Sequence, residues 1–451
     1  MAKYSILDEV HIDVNVTQNP YQFEENQLFE MAMRINKKRS FLFISKVLGK
    51  HIALPPQIPL LLGHLLAMRY MEVVEKKPDI RAQAVATALK TYEQLDESLN
   101  MLEEHPLVLK KPIKIIGFAE TATALGHAFF NAFRQHVEYV HTTRECIPSL
   151  VPLATFEEEH SHATTHRVYM QDEHFFEGDA PIALVDDELT TGQTNINIIS
   201  QILEAFPHKK SFVIVSILDW RSEEHRQAYR DFEQQHGITI QEVSLLQGTI
   251  QVEGQPQVEA PTRQSNPLKQ TPTVIHASLA HLLPDDQYIH AISTQQDGTQ
   301  CSMPYYRGSG RFGLTKEQDV LIRQQLSLFK YQLQGLRKGG KTLVLGTGEF
   351  MYIPMRIAAL LGKNVYFHST TRSPIYAHEK SFIQTQYTFE SPEQCGVENY
   401  VYNIPKKHYT DAIIVIERIT SDAALTALID ALAEAQIPTV TILTLTDGRE
   451  L

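Results

Sequence analysis

The stretch IALVDDELTTGQT, residues 182–194, concentrates more chemistry than any other part of this chain. Four apolar residues, Ile182 to Val185, run into Asp186 and Asp187. Thr190, Thr191, Gly192, Gln193 and Thr194 follow closely. Carboxylates only accept hydrogen bonds, so two neighbouring ones suit a vicinal diol. A glycine turn that opens a helix offers unpaired backbone N–H groups, and threonine hydroxyls beside it complete a phosphate cradle. A diol next to a monophosphate describes a ribose 5-phosphate. No Gly-Lys-Thr is present, so this is not a nucleotide-triphosphate loop.

The elements around this stretch set where it must sit. From residue 113, strand-like IKIIGF, VEYVHTT, IALVDD and SFVIVSILDW alternate with helical TALGHAFFNAF and TNINIISQILEAF. That alternation predicts a parallel α/β sheet, and ligands of such sheets gather at the carboxyl ends of the strands. Asp186 and Asp187 therefore belong to a crevice. Residues 21–110 are predicted to be mainly helical, from YQFEENQLFEMAMRINKK and IRAQAVATALKTYEQLDESLNMLEEH. Between those two segments lies the more apolar RSFLFISKVLGKHIALPP, with Arg39, Lys46 and Lys50. Residues 251–273, rich in Gln, Pro and Thr, are read as a linker between a domain at 1–250 and another at 274–451.

The alternation restarts with KTLVLGTGEF, YIPMRIAALLG, NVYFHSTTRSP and DAIIVIERIT. GFAE at 117–120 matches GTGE at 346–349, and HTTRECI at 141–147 matches STTRSPI at 369–375. The two halves are read as a diverged internal duplication.

A net charge of −12 over 451 residues argues against general nucleic-acid or anionic-membrane binding. The most apolar run, IPLLLGHLLAM, is too short to span a bilayer. Three scattered cysteines and an acidic start, MAKYSILDEVHIDV, lead us to expect a cytoplasmic protein.

The segment at 182–194 resembles the phosphoribosyl pyrophosphate (PRPP) signature of type I phosphoribosyltransferases. Together with FLFISKVLGKH, FEEEHSHAT and TTRSP, the chain resembles a bacterial two-domain family. That family joins a phosphoribosyltransferase domain to a TRSP domain and is associated with tellurite-resistance and stress gene clusters. The resemblance implies two Rossmann-like parallel-sheet domains, the second a degenerate repeat, with a helical N-terminal region; RSFLFISKVLGKHI, residues 39–52, would be a hood over the acceptor base or else a domain-swapped or packing strand. It implies PRPP as substrate, a base-like acceptor, Mg2+ as cofactor and release of pyrophosphate in making a nucleoside-like metabolite. A homodimer is compatible with it. A PRPP- or nucleotide-sensing regulator that uses the same pocket without turnover is the alternative.

Site residues follow from the same resemblance. Asp186 and Asp187 are the candidate catalytic pair, Asp187 first among them to assist at the ring or take a proton from the acceptor. GFAETATALG, residues 117–126, would form the pyrophosphate loop, with Thr121 and Thr123 as donors. Glu120 reads either as a magnesium-mediated contact or as an acid favoured at a helix start. Arg144 ends a strand where it could meet pyrophosphate or lie on the surface. Trp220 is a candidate for stacking on the base, or a core residue. His160, His162 and His166 with Glu157–Glu159 read as a lid, a metal site or a solvated loop. In the second half Glu417 and Arg418 stand in place of the paired aspartates, and no glycine loop follows. Gly346, Gly348, Thr371, Arg372 and Ser373 remain as a candidate anion site, to which Arg307 and Arg311 could add. Replacing Asp186→Asn and Asp187→Asn together is expected to abolish PRPP binding while the fold persists, because amides put donors where the diol needs acceptors. Calorimetry that returned wild-type affinity would contradict this assignment.

Overall fold

The computed structural model describes residues 2–35, 41–157, 165–254, 271–295, 297–394 and 396–446. Arg39, Glu158, Glu159, His160, His162 and most of the 251–273 segment lie outside them, so the expectations placed there stay as sequence readings. No helix among the described residues is long and apolar enough to cross a membrane.

The first half opens with an antiparallel pair, β1 (Ala2–Ile6) and β2 (Val10–Gln18). A second pair, β3 (Phe29–Met33) and β4 (Phe41–Ser45), follows. Three helices come next: α1 (Gln57–Val73), α2 (Ala82–Thr91) and α3 (Leu95–Glu104). Then come β5 (Ile113–Gly117), α4 (Ala122–Asn131), β6 (Val137–His141) and the hairpin β7 (Ala154–Glu157) with β8 (Thr165–Val168). The half ends with β9 (Ile182–Leu189), α5 (Gln193–Ala205), β10 (Ser211–Asp219), α6 (Glu223–His236) and β11 (Thr239–Glu253). The second half holds β12 (Thr273–Ser278), β13 (Leu314–Thr315), α7 (Lys316–Leu328), β14 (Thr342–Gly346) and α8 (Tyr352–Leu360). It continues with β15 (Val365–Ser369), the hairpin β16 (Gln386–Glu390) and β17 (Glu398–Tyr402), β18 (Asp411–Ile416), α9 (Asp422–Glu434) and β19 (Thr439–Thr444).

Among the described residues the first sheet has eight strands in the order β1-β2-β11-β10-β9-β5-β6-β13, and the second has five in the order β12-β19-β18-β14-β15. The five central strands of the first sheet are parallel, as expected. β1 runs antiparallel to β2, β2 to β11, and β13 to β6, so the first sheet is mixed. The strands of the second sheet are all parallel. Ile182 to Val185 are fully buried because helices cover both faces, which is why the sequence shows a continuous apolar run there.

The repeat holds at the level of topology. The orders β11-β10-β9-β5-β6 and β12-β19-β18-β14-β15 correspond, with one difference. The outer strand follows the core in the first half and precedes it in the second. Gly117 lies opposite Val185, and Gly346 lies opposite Val415. Counting from those pairs puts Glu417 at the position of Asp187, Ile416 at that of Asp186 and Arg418 at that of Glu188. This corrects the sequence alignment by one residue. Even the hairpins agree: Ile147 N donates to Tyr169 Oη at 3.1 Å, and Ile375 N donates to Tyr402 Oη at 2.9 Å.

The N-terminal region is less helical than its spacing suggested. Among the described residues of YQFEENQLFEMAMRINKK, Glu25–Leu28 alone forms a helix, and Phe29 starts a strand. Phe29, Met31 and Met33 alternate, and pairing with β4 settles the ambiguity in favour of a hairpin. The long segment at 80–105 breaks into α2 and α3, with Tyr92 and Gln94 in left-handed conformations. IPLLLGHLLAM lies in α1, buried on nearly all sides. Gly63 of α1 is needed there, since a Cβ would sit 2.4 Å from Ala128 Cβ on α4.

The β3–β4 hairpin packs on Trp220. Phe43 stacks on the indole at 5.5 Å and Phe29 meets it edge-on at 5.6 Å. Trp220 is 2% exposed, so it anchors the hairpin and cannot offer a face to a ligand in this conformation. That corrects its placement as a base-stacking residue. Trp220→Ala is expected to cost about 3–5 kcal/mol in chemical unfolding, as for other large-to-small core changes. Trp220→Phe should cost less, and equal losses for the two would argue against packing as its role.

Candidate functional site

β9 delivers Asp186 and Asp187 to the carboxyl edge of the first sheet, where both are half-buried. Asp186 Oδ1 accepts from Asp187 N at 2.9 Å, which fixes the pair relative to each other. Leu189 ends the strand, and Thr190, Thr191, Gln193 and Thr194 follow, all half-buried. Gly192 has φ +77° and caps α5, whose first N–H groups face the turn. The glycine is required twice over. Its φ is left-handed, and a Cβ there would stand 2.5 Å from Tyr229 Oη and 2.9 Å from Arg221 Cδ.

Two residues that the sequence reading passed over hold that turn. Tyr229 Oη donates to Gly192 O at 2.7 Å. The Arg221 guanidinium lies over the Tyr229 ring at 4.3 Å and is clamped by Asp219 at 2.7 Å and Glu242 at 2.6 Å. Asp219, at the end of β10, is thus spent on supporting the turn. The position of Asp-Trp-Arg at a strand end was the available signal.

The loop after β5 was expected to meet substrate with Glu120, Thr121 and Thr123. Thr121 Oγ1 accepts from the Lys50 ammonium, which reaches in from the segment after β4. Thr123 Oγ1 lies 2.9 Å from Glu120 O and 3.0 Å from Glu349 O. Glu120 faces the second half: its Oε2 accepts from Thr371 Oγ1 at 2.8 Å and from Arg372 N at 3.2 Å. The symmetric exchange also exists. Glu349 accepts from Thr143 Oγ1 at 2.6 Å and from Arg144 N at 2.8 Å. Each half therefore places the glutamate of its first loop on the Thr-Thr-Arg loop of the other, so that two carboxylates accept from four donors. Glu120 is a link between the halves in this structure, which corrects its reading as a substrate contact or a plain helix-start acid.

The same exchange revises the candidate anion site of the second half. The Thr371 hydroxyl and Arg372 N already serve Glu120, and Ser373 N donates to Thr371 Oγ1 at 3.2 Å. Gly348 N donates to Thr370 Oγ1 at 2.9 Å, and the Arg372 guanidinium meets Gln394. Gly346 packs against Phe350 O and Pro354. These donors are engaged within the protein. Arg307 is half-buried and donates to Asp286 O at 2.7 Å.

Arg311 occupies the crevice between the halves. It donates to Thr143 Oγ1 at 2.7 Å and to Glu417 Oε2 at 3.0 Å, and pairs with Glu349 and with Glu145 at 3.2 Å. Arg418 joins the group through Glu145 at 2.9 Å and stacks over Tyr305 at 3.9 Å. Three carboxylates thus face two guanidiniums, all buried. Burial opposes ionisation of Glu349, but Arg311 and then His141 draw its pKa down to about 2. Glu393 comes fourth. Burial, and then Glu417, push its carboxyl up to about 8.

His166 is buried, with Nδ1 3.0 Å from Thr142 Oγ1 and its ring stacked on Phe156. Among the described residues no group of His, Cys, Asp or Glu is arranged to hold a metal ion. Asp186 and Asp187 are hard oxygen donors of the type that suits magnesium.

Glu393 yields a pH prediction. Its folded pKa lies above the ordinary carboxyl value, so the folded state keeps a proton that the unfolded chain gives up. This contribution to stability is complete below the unfolded value, 4.5, and is lost as pH rises toward about 8, at roughly 1.4 kcal/mol per unit. Glu393→Gln should remove that loss. Its melting temperature relative to wild type should climb steadily between about pH 5 and pH 8; parallel profiles would show that Glu393 is ionised in the fold.

Residues 28–249 match a family described as phosphoribosyl transferase, and residues 308–432 match the TRSP domain found C-terminal to it. No curated protein matches the chain. Solved structures similar to it include adenine phosphoribosyl transferase from Trypanosoma brucei in complex with AMP, pyrophosphate and ribose-5-phosphate. That one is 14% identical and covers 38% of this chain and 74% of its own, with a TM-score of 0.25. Adenine phosphoribosyltransferase from Rhodothermus marinus is 11% identical, covering 41% and 98%, with a TM-score of 0.22. Orotate phosphoribosyltransferase from Mycobacterium tuberculosis in complex with PRPP is 13% identical, covering 41% and 88%, with a TM-score of 0.18. With the two family matches in chain order, this chain belongs to the family of phosphoribosyltransferases that carry a C-terminal TRSP domain.

Proposed function

We propose that this protein uses PRPP to transfer ribose 5-phosphate to a base-like acceptor, releasing pyrophosphate, as a step toward a nucleoside-like metabolite. One observation carries the reading. Two half-buried carboxylates lie toward the carboxyl end of β9, and a glycine-dependent turn just beyond that strand opens α5. The N–H groups of that turn, with Thr190, Thr191 and Thr194, would hold the 5-phosphate. Asp186 and Asp187 would accept from the ribose hydroxyls. Thr121 and Arg144 would lie on the pyrophosphate side, where Glu349 fixes the Arg144 backbone.

In the reaction the acceptor forms a bond to ribose C1 as the bond from C1 to pyrophosphate breaks. Positive charge develops on the ring and negative charge on the leaving group. Fixed donors aimed at the departing pyrophosphate lower that barrier, because they need no reorganisation as charge builds. The Asp187 carboxylate would face the ring's positive charge or take the acceptor's proton. Magnesium, when bound, supplies further charge neutralisation on pyrophosphate. The β3–β4 hairpin, held by Trp220, would wall the acceptor side.

The test is incubation of the full chain with PRPP, magnesium and cell extract. Pyrophosphate release with a ribosylated product found by mass is expected, and Gly192→Ala should suppress both by distorting the turn. PRPP binding without any release would instead favour the sensing reading.

A further inference from the structure

A cleft of about 700 Å³ lies away from the transferase crevice, among α3, α4, α7 and α8. Its charge sets it apart in an acidic chain. Arg134 lies just beyond α4, Lys316 and Arg323 come from α7, and Arg356 comes from α8. Among the described residues Glu103 of α3 is the one carboxylate on the wall, and it is taken by Arg356. Asp319 lies beneath, 1% exposed, and is already shared by four donors. His127 and Asn131 reach it at 3.3 and 2.9 Å, and Lys316 and Arg323 each at 3.1 Å. Four cations therefore meet two carboxylates.

The field of this excess is felt nearby. Burial, followed by the charge of Arg323 and Arg356 against the pull of Asp319, leaves the Lys316 pKa below that of an ordinary lysine. His64 behind the cleft, held neutral mainly by burial, is pushed further down by Lys316, Arg356 and Arg323. Arg134 is exposed at the mouth. Beside the cations, Pro106, Val320 and Leu328 form an apolar stretch, and Leu328 is 76% exposed. Gln324 adds a neutral donor.

We propose that this cleft is a second ligand site, taking a small phosphomonoester with a planar or hydrocarbon body. The phosphate would sit on Arg134 and Arg323, which present guanidinium donors to its oxygens. The body would lie along Val320 and Leu328. The volume is that of a metabolite pocket. The cleft is built from both halves: α3 and α4 belong to the first, α7 and α8 to the second. Its occupant therefore bridges them. Because α4 runs from the loop at Thr121 to Asn131, a ligand at this end bears on the far end of the same helix. The site is thus placed to regulate the transferase crevice, and it does not depend on the reaction proposed there.

AMP serves as the probe, titrated by calorimetry into the full chain. Three proteins are compared: wild type, Arg134→Ala with Arg323→Gln, and Thr191→Ala with Thr194→Ala. We expect an AMP site additional to the transferase crevice, and binding at it weakens at least about tenfold in the arginine variant, since each charged hydrogen bond is worth about that factor or more. The threonine variant should keep this binding. Arg134→Ala alone changes only an exposed side chain, so it reports on the site even if the double variant folds poorly, and it too should weaken binding. No AMP binding by wild type at millimolar concentration would overturn the proposal. So would binding lost only in the threonine variant, which would place AMP in the transferase crevice.

Discussion

The reciprocal placement of Glu120 and Glu349 is the constraint on which this structure turns. Each carboxylate leaves its own half and satisfies a hydroxyl and a backbone N–H in the other. Neither glutamate could be buried without those partners, because a charge removed from water must be paired or hydrogen-bonded. Neither Thr-Thr-Arg loop would keep its donors satisfied alone. Arg311 then adds a cation to the Glu349 side only. The symmetry is broken there, and the second crevice fills with protein groups while the first keeps its half-buried aspartates and threonines.

The support of the first crevice follows a similar logic of buried charge. Arg221, with 0% side-chain exposure, is held by Asp219 and Glu242, and it presses on Tyr229 against Gly192. Rigid backing of this kind keeps a phosphate loop in place before ligand arrives, so less ordering is needed on binding. The loop is thus prepared by residues 27 or more positions further along the chain, none of which face the crevice.

Much of this was legible in the sequence, and the reasons differ by element. The apolar run Ile182–Val185 and its acids could be placed because a strand buried on both faces leaves a continuous hydrophobic signature. The duplication could be found because Gly-x-x-Glu and Thr-Thr-Arg both persist at matching distances. What Glu120 does could not be read, since its partners Thr371 and Arg372 are about 250 residues away and only folding brings them together. Trp220 was ambiguous for a related reason: its neighbours Phe29 and Phe43 lie on a hairpin whose apolar spacing also suits a helix. The one-residue offset at Glu417 appeared only when sheet register could be counted.

The short strand β13 has a consequence for how the molecule should be thought of. It belongs to the second half, yet Leu314 and Thr315 pair with Tyr139 and Glu138 at the edge of the first sheet. Together with the crossed glutamates, it makes the halves share a sheet edge as well as a buried charge cluster. The peptide connection between β11 and β12 is then only one of several ties. Cleaved there, the two fragments would remain a heterodimer held by tertiary contacts, and the gene could be divided at that point into two cistrons whose products reassemble.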